Sequence, residues 1–213
     1  MQLIDMLDSP YVRRVAIALH HLEISFEHRP LSVFRDIEAF SQINPLVKAP
    51  TLVCDSGEVL MDSTLILGYL EKLTNKRLMP ESLSDYAKAL RIIGLGLNAC
   101  DKSVQIVYER DLRPPQKQHQ PWRSRIESQV VAAYNLIESY ATQIDSQTSH
   151  WLFGPQLTQA DITICVAWQF SQLMISDVVS LSDYPALSQL SQRAEALSSF
   201  SATPLAPDWV PAH

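Results

Sequence analysis

Cysteine is scarce in this chain. Among 213 residues there are three, Cys54, Cys100 and Cys165, far apart and in neither CxxC nor metal-ligand spacing. That excludes a dithiol redox pair and a cysteine-built metal centre. Each cysteine then reads as a small buried hydrophobe, a usage that fits a reducing compartment and a cytoplasmic protein. The six histidines also lack ligand spacing, so no metal is expected. Runs of like charge are missing as well. With a net charge of −6 and a pI near 5.5, no nucleic-acid or anionic-membrane surface is indicated. The amino terminus MQLIDMLDSP carries two acids and no basic n-region. No apolar run approaches the ~20 residues of a membrane span. No internal repeat or low-complexity tract interrupts the chain. What is present is a globular balance of 46% apolar and 19% charged residues, enough to bury a substantial core. Small molecules or proteins are the expected partners.

The pattern along the chain changes once. QLIDML is short, apolar and closed by Asp8-Ser9-Pro10, as a buried strand would be. In SPYVRRVAIALHHL, Val12, Val15, Ala16, Leu19 and Leu22 recur at the spacing of an amphipathic helix. Ser9 suits its N-cap and Pro10 its first turn. SFEHRPL reads as a strand and RDIEAFSQI as a helix. TLVCDSGEVLMD reads as two strands around a turn, and STLILGYLEKLT as a helix. After NKRLMPESLSD only helices are expected, near Asp85 to Glu109, Pro121 to Ile144, Thr158 to Met174 and Ala186 to Leu197. The reading is an α/β βαβαββα domain, residues 1–75, then a linker, 76–83, and an all-α domain, 84–213.

That order of elements resembles a thioredoxin-type fold. SPYV begins its helix as a glutaredoxin's CPYC does, with Ser9 and Val12 in place of both cysteines. NPLVKAPTL, Asn44 to Leu52, resembles the cis-proline segment of glutathione transferases. LMDSTLILGYLE, Leu60 to Glu71, resembles their acidic-Ser pair opening a helix, and LTQADITI, Leu157 to Ile164, the capping box of their helical domain. Together these span most of the chain and resemble the cytosolic glutathione S-transferase family, in a bacterial, serine-type form.

The resemblance implies a soluble homodimer that binds glutathione on the first domain and presents its thiol to a small hydrophobic electrophile. Ser9 would stabilise the thiolate, with Tyr11 as second choice. The energetics are reasonable: a thiol of pKa ~8.5 is only a few per cent ionised at neutral pH. Lowering it by about two units takes ~2.7 kcal/mol. A hydroxyl donor to the anion supplies ~1.5 to 3 kcal/mol and a helix N-terminus ~0.3 to 1 more. From its own stretch Ser9 reads as a plain N-cap, an order that the other glutathione-site motifs reverse, and Tyr11 also reads as a partly buried aromatic. A cis Pro50 would turn the backbone of Ala49 toward the cysteinyl unit, with Lys48 near the glycyl carboxylate. The alternatives are a strand-initiating proline and a solvated lysine. Asp62 would take the ammonium and Ser63 the carboxylate of the γ-glutamyl unit, unless the pair is only a helix cap. Phe34 would lie against glutathione or simply pack, and Asp101 would assist the ammonium. Tyr108, Arg113 and Trp168 are candidates for the second-substrate pocket, each with a structural alternative. Thr158 and Asp161 are a folding device, with Leu157 and Ile162 as a hydrophobic staple. Other activities stay open: a non-catalytic transferase-like binding or regulatory module, and a glutathione-dependent peroxidase or isomerase. Detoxification is the role implied for the transferase.

Overall fold

The computed structural model describes residues 1–144 and 149–205. They form two units: Met1–Arg77 with residues 197–205, and Leu78–Ala196.

In the first unit, β1 (Gln2–Ile4) lies between β2 (Glu27–Arg29), to which it is parallel, and β3 (Thr51–Val53), to which it is antiparallel. β4 (Val59–Met61) closes the order β2-β1-β3-β4. The hairpin between β3 and β4 turns at Gly57, whose φ of +86° is readily adopted only by a residue without a Cβ. With α1 (Pro10–His21), α2 (Ile37–Ser41) and α3 (Ser63–Leu70), this is the thioredoxin-like arrangement expected. The strands are shorter than expected. β1 stops at Ile4 because Asp5 leaves extended geometry at φ +102°, and β2 stops before Pro30, which has no N–H for a ladder.

The apolar stripe of α1 is buried as its spacing requires, but so is the rest of that stretch. Every residue from Val12 to Leu19 is inaccessible, Arg13 and Arg14 included. Arg13 is held by residues near Phe200 and Thr203. Its Nε donates to the Thr203 carbonyl at 2.8 Å, and its guanidinium lies 5.8 Å from the centroid of the Phe200 ring. The short helix α8 (Ser198–Ser201) thus packs on α1. Residues 197–205 group with the first unit, whereas the sequence pattern placed all of 84–213 in the helical domain. A hydrogen bond spanning 190 positions leaves no local mark in the sequence.

The second unit is helical: α4 (Leu83–Val107), α5 (Gln120–Ala141), α6 (Gln159–Met174) and α7 (Pro185–Glu195). Twelve residues of α6 are buried, which makes it the central helix of the unit. It approaches α4 so closely at Gly96 that a Cβ there would lie 2.9 Å from Thr163 Cγ2. The start of α6 is fixed by its box. The carboxylate of Asp161 accepts from Thr158 N at 2.9 Å, Thr158 Oγ1 at 2.6 Å and Leu152 N at 2.9 Å. Leu157 and Ile162 are both buried beside it. Glu138 of α5 caps α7 in the same spirit, accepting from Ala186 N and Leu187 N at 2.8 Å each. Among the described residues, no helix is long and apolar enough to cross a membrane.

Candidate functional site

The loop that follows β1 opens the site. Asp5 is buried within it; its N–H donates to the Arg29 carbonyl at 3.1 Å, and His28 Nε2 lies 2.8 Å from its carbonyl oxygen. Burial, reinforced by the charge of Asp8, pushes its carboxyl up to about 7, while the N–H groups of Met6 and Val33 pull the other way. Four residues on, Ser9 occupies the N-cap of α1 at φ −70°, ψ 121°. Its carbonyl accepts from Val12 N at 3.1 Å and Arg13 N at 3.0 Å, but its hydroxyl makes no capping bond. The side chain that reads as a cap is therefore not spent on its own helix. Tyr11, one residue into the helix, is half-buried.

The second part of the site is the segment before β3. The Ala49–Pro50 bond is cis. Asn44 Nδ2 donates to Thr51 Oγ1 at 2.8 Å, and Thr51 Oγ1 donates to the Lys48 carbonyl at 2.7 Å. The two bonds pin the segment at both ends. Pro50 is buried, Ala49 half-buried and Lys48 exposed.

The third part is the start of α3. Asp62, exposed and at φ +67°, accepts from Thr64 N at 2.8 Å, so the acid does cap the helix. Ser63, its first residue, is buried. Its Oγ accepts from Arg14 Nη1 at 3.2 Å, and the same nitrogen lies 3.4 Å from Thr64 Oγ1. Arg14 thus ties the helix that Ser9 opens to the helix that Ser63 opens. Phe34 is exposed on the β2–α2 loop, where its N–H donates to Ser32 Oγ at 3.2 Å and Asp36 accepts from Ser32 N at 2.8 Å.

Residues 3–78, which hold all three parts, match the family model of the glutathione S-transferase N-terminal domain. By that match, residues 3–78 form a glutathione S-transferase N-terminal domain. A glutathione S-transferase of Methylobacterium radiotolerans JCM 2831, solved in complex with glutathione sulfonate, is similar at 26% identity. Its TM-score is 0.89 over 100% of this chain and 98% of its own. A glutathione transferase family member of Pseudomonas fluorescens Pf-5, solved with bound glutathione, is also 26% identical, with a TM-score of 0.79 over 95% and 97% of the two chains. An uncharacterized GST-like protein of Escherichia coli (strain K12), YibF, is 27% identical over 141 residues, 66% of this chain and 69% of its own.

The helical unit carries the remaining candidates. Asp101 is exposed on α4, pairs with Lys102 Nζ at 2.9 Å and accepts from Gln105 Nε2 at 2.9 Å. Tyr108, exposed, is the first residue of a five-residue π-helical turn, Tyr108–Leu112, at the end of α4, and Arg113, also exposed, follows its last. The buried Glu109 organises that turn, pairing with Arg113 Nε at 2.9 Å and accepting from His119 N at 2.7 Å. The spacing of the sequence does not reveal it. π-Helical turns occur often at functional sites. Trp168 departs from expectation. It is 1% exposed, its ring 5.3 Å from Tyr134 and 5.5 Å from Tyr184, centroid to centroid. It is a core residue of α6, because the face that carries it is covered by α5 and the chain before α7. Among the described residues, no group of three His, Cys, Asp or Glu side chains could hold a metal.

Sequence reasoning passed over two groups in the first unit. Asp5 is signalled by an acid inside an apolar run, and Arg14 by a cation in the middle of a helix that packs on all sides.

Proposed function

We propose that the protein binds glutathione on its first unit and activates the thiol for attack on a small hydrophobic electrophile. The observation that carries this reading is the hydroxyl of Ser9, which stands at a helix N-terminus without capping it. A hydroxyl there donates to a sulfur anion while the helix dipole favours the same charge. Tyr11 is the second choice for the donor. The cysteinyl unit pairs with the backbone of Ala49 beside Pro50 as an added strand would, and Lys48 serves the glycyl carboxylate. Ser63 donates to the γ-glutamyl carboxylate, Asp62 takes the ammonium, and Phe34 covers the tripeptide. Asp101 assists the ammonium, and Tyr108 and Arg113 meet the electrophile. The glutathione and glutathione sulfonate in the two bacterial relatives support this choice of ligand.

A homodimer accompanies the reading, supported by Leu46, Met61 and Leu65, apolar residues that the first unit leaves exposed. Three buried cysteines, none in a disulfide, suit the cytoplasm, where removal of electrophiles would be the role served.

Isothermal titration with glutathione, alongside an ultraviolet titration of the bound thiolate, tests the proposal. Saturable binding with a thiol pKa clearly below ~8.5 is expected. Absence of binding at millimolar glutathione overturns it and leaves a transferase-like interaction module. Binding with an unshifted thiol overturns the activation step alone.

A further inference from the structure

The start of α3 is served by a charge that comes from another helix. Arg14 lies in the second turn of α1, 1% exposed, and reaches Ser63 Oγ at 3.2 Å and Thr64 Oγ1 at 3.4 Å through one nitrogen. A guanidinium has five donors, no acceptor, and stays protonated in proteins. Ser63 must therefore accept from it. A serine hydroxyl has a single proton, and with an acceptor position engaged by Arg14 that proton remains for a different partner. A hydroxyl that accepts from a cation is also polarised toward stronger donation.

The surroundings add to the same sign. Thr64 N is already taken by Asp62 Oδ1, and Ile66 N by the Asp62 carbonyl. At its first residue α3 presents the hydroxyl of Ser63 together with the positive end of the helix dipole. Beneath them lies the permanent charge of Arg14, where solvent screens it weakly.

We propose that Arg14 is a positioning residue that sets the Ser63 hydroxyl as a donor and makes the start of α3 discriminate a carboxylate from its neutral isostere. This rests on the glutathione reading, under which the carboxylate selected is the α-carboxylate of the γ-glutamyl unit. Arg14 does not touch the ligand; it acts through Ser63 and through its charge. A purely structural role, tying α1 to α3, would affect stability and leave this discrimination untouched.

The test compares two ligands by titration calorimetry on the full chain: glutathione, and the analogue whose γ-glutamyl α-carboxylate is an α-carboxamide. Wild type is expected to prefer glutathione by about tenfold or more, the scale of one charge-assisted hydrogen bond. Arg14→Gln keeps a donor in the same channel without the charge, and its preference should fall to within about threefold of none. Arg14→Lys keeps both the charge and a donor, and its preference should stay within about threefold of wild type. Thermal melts of all three report on the fold separately.

An unchanged preference in Arg14→Gln overturns the proposal, whatever its melting temperature. If Arg14→Gln does not fold, Arg14→Met, which removes both the charge and the donor, decides: a preference equal to wild type overturns the proposal, and one reduced to within about threefold of none supports it. Failure of the underlying reading looks different. A wild type that binds both ligands equally, or neither, shows that the γ-glutamyl unit is not held at Ser63, before any variant is made.

Discussion

Two helix starts in this molecule use the same kind of residue in opposite ways. At α6, Thr158 and Asp161 turn their polar atoms inward. The acid accepts from Thr158 N, Thr158 Oγ1 and Leu152 N, so the helix start and the loop before it become one rigid piece. At α1, Ser9 has N-cap geometry, yet its hydroxyl makes no capping bond, and its carbonyl alone starts the helix. Ser82 at α4 follows the first pattern, its Oγ accepting from Asp85 N at 3.1 Å. A hydroxyl consumed by its own helix contributes to folding, and one left over at a helix N-terminus is available to an anion from outside. The helical unit spends these groups on structure; the first unit keeps one in reserve.

The sharpest way to break this contrast is Asp161→Ala. It strands the N–H groups of Leu152 and Thr158 inside the helical unit, and a loss of ~3 to 5 kcal/mol is expected in denaturant unfolding. Glutathione affinity of the protein that remains folded should be unchanged.

Next in size is the pH response of the acid in the first unit. Asp5 sits near 7 when folded, against 3.8 for the unperturbed group, because burial disfavours its charge. A folded value above the unfolded one means that its contribution to stability is full below about pH 4 and is lost as pH rises through 7. Asp161, pushed up by burial to about 6, has the same sign. Asp5→Asn keeps a residue that tolerates the positive φ. Measured by thermal melts, it should remove a pH-dependent loss worth ~4 kcal/mol between pH 4 and 8. The Asp161 contribution would remain. An unaltered slope would show that Asp5 is ionised in the folded protein throughout.

Ser9→Ala should lower turnover by ~10- to 100-fold while stability stays within about 0.5 kcal/mol, because no cap is lost. A stability loss with turnover intact would return Ser9 to the class of Thr158. The smallest effect is expected from Ser82→Ala, ~1 kcal/mol of stability and nothing in turnover.

Most of the fold was legible because it depends on neighbours in sequence. The strand and helix order, the stripe from Val12 to Leu22 and the box at Thr158 and Asp161 are patterns within a few residues of one another. The glutathione S-transferase resemblance rested on such patterns too: Ser9-Pro10 before a helix, Pro50 before a strand, Asp62-Ser63 before another helix. Trp168 misled because an aromatic at helical spacing looks the same whether it faces a pocket or the interior. Only the packing of α6 against Tyr134 and Tyr184 settles which.

By itself, then, the sequence determined which segments are strands and helices, where they begin, and which serines and acids stand at their starts. Tertiary structure alone decided what those groups are free to do. The charge under Ser63 comes from 49 positions away and the clasp on Arg13 from 190. The reason is physical: propensity and periodicity act over one or two turns, whereas a hydroxyl's partner is whatever the folded chain brings within 3.5 Å.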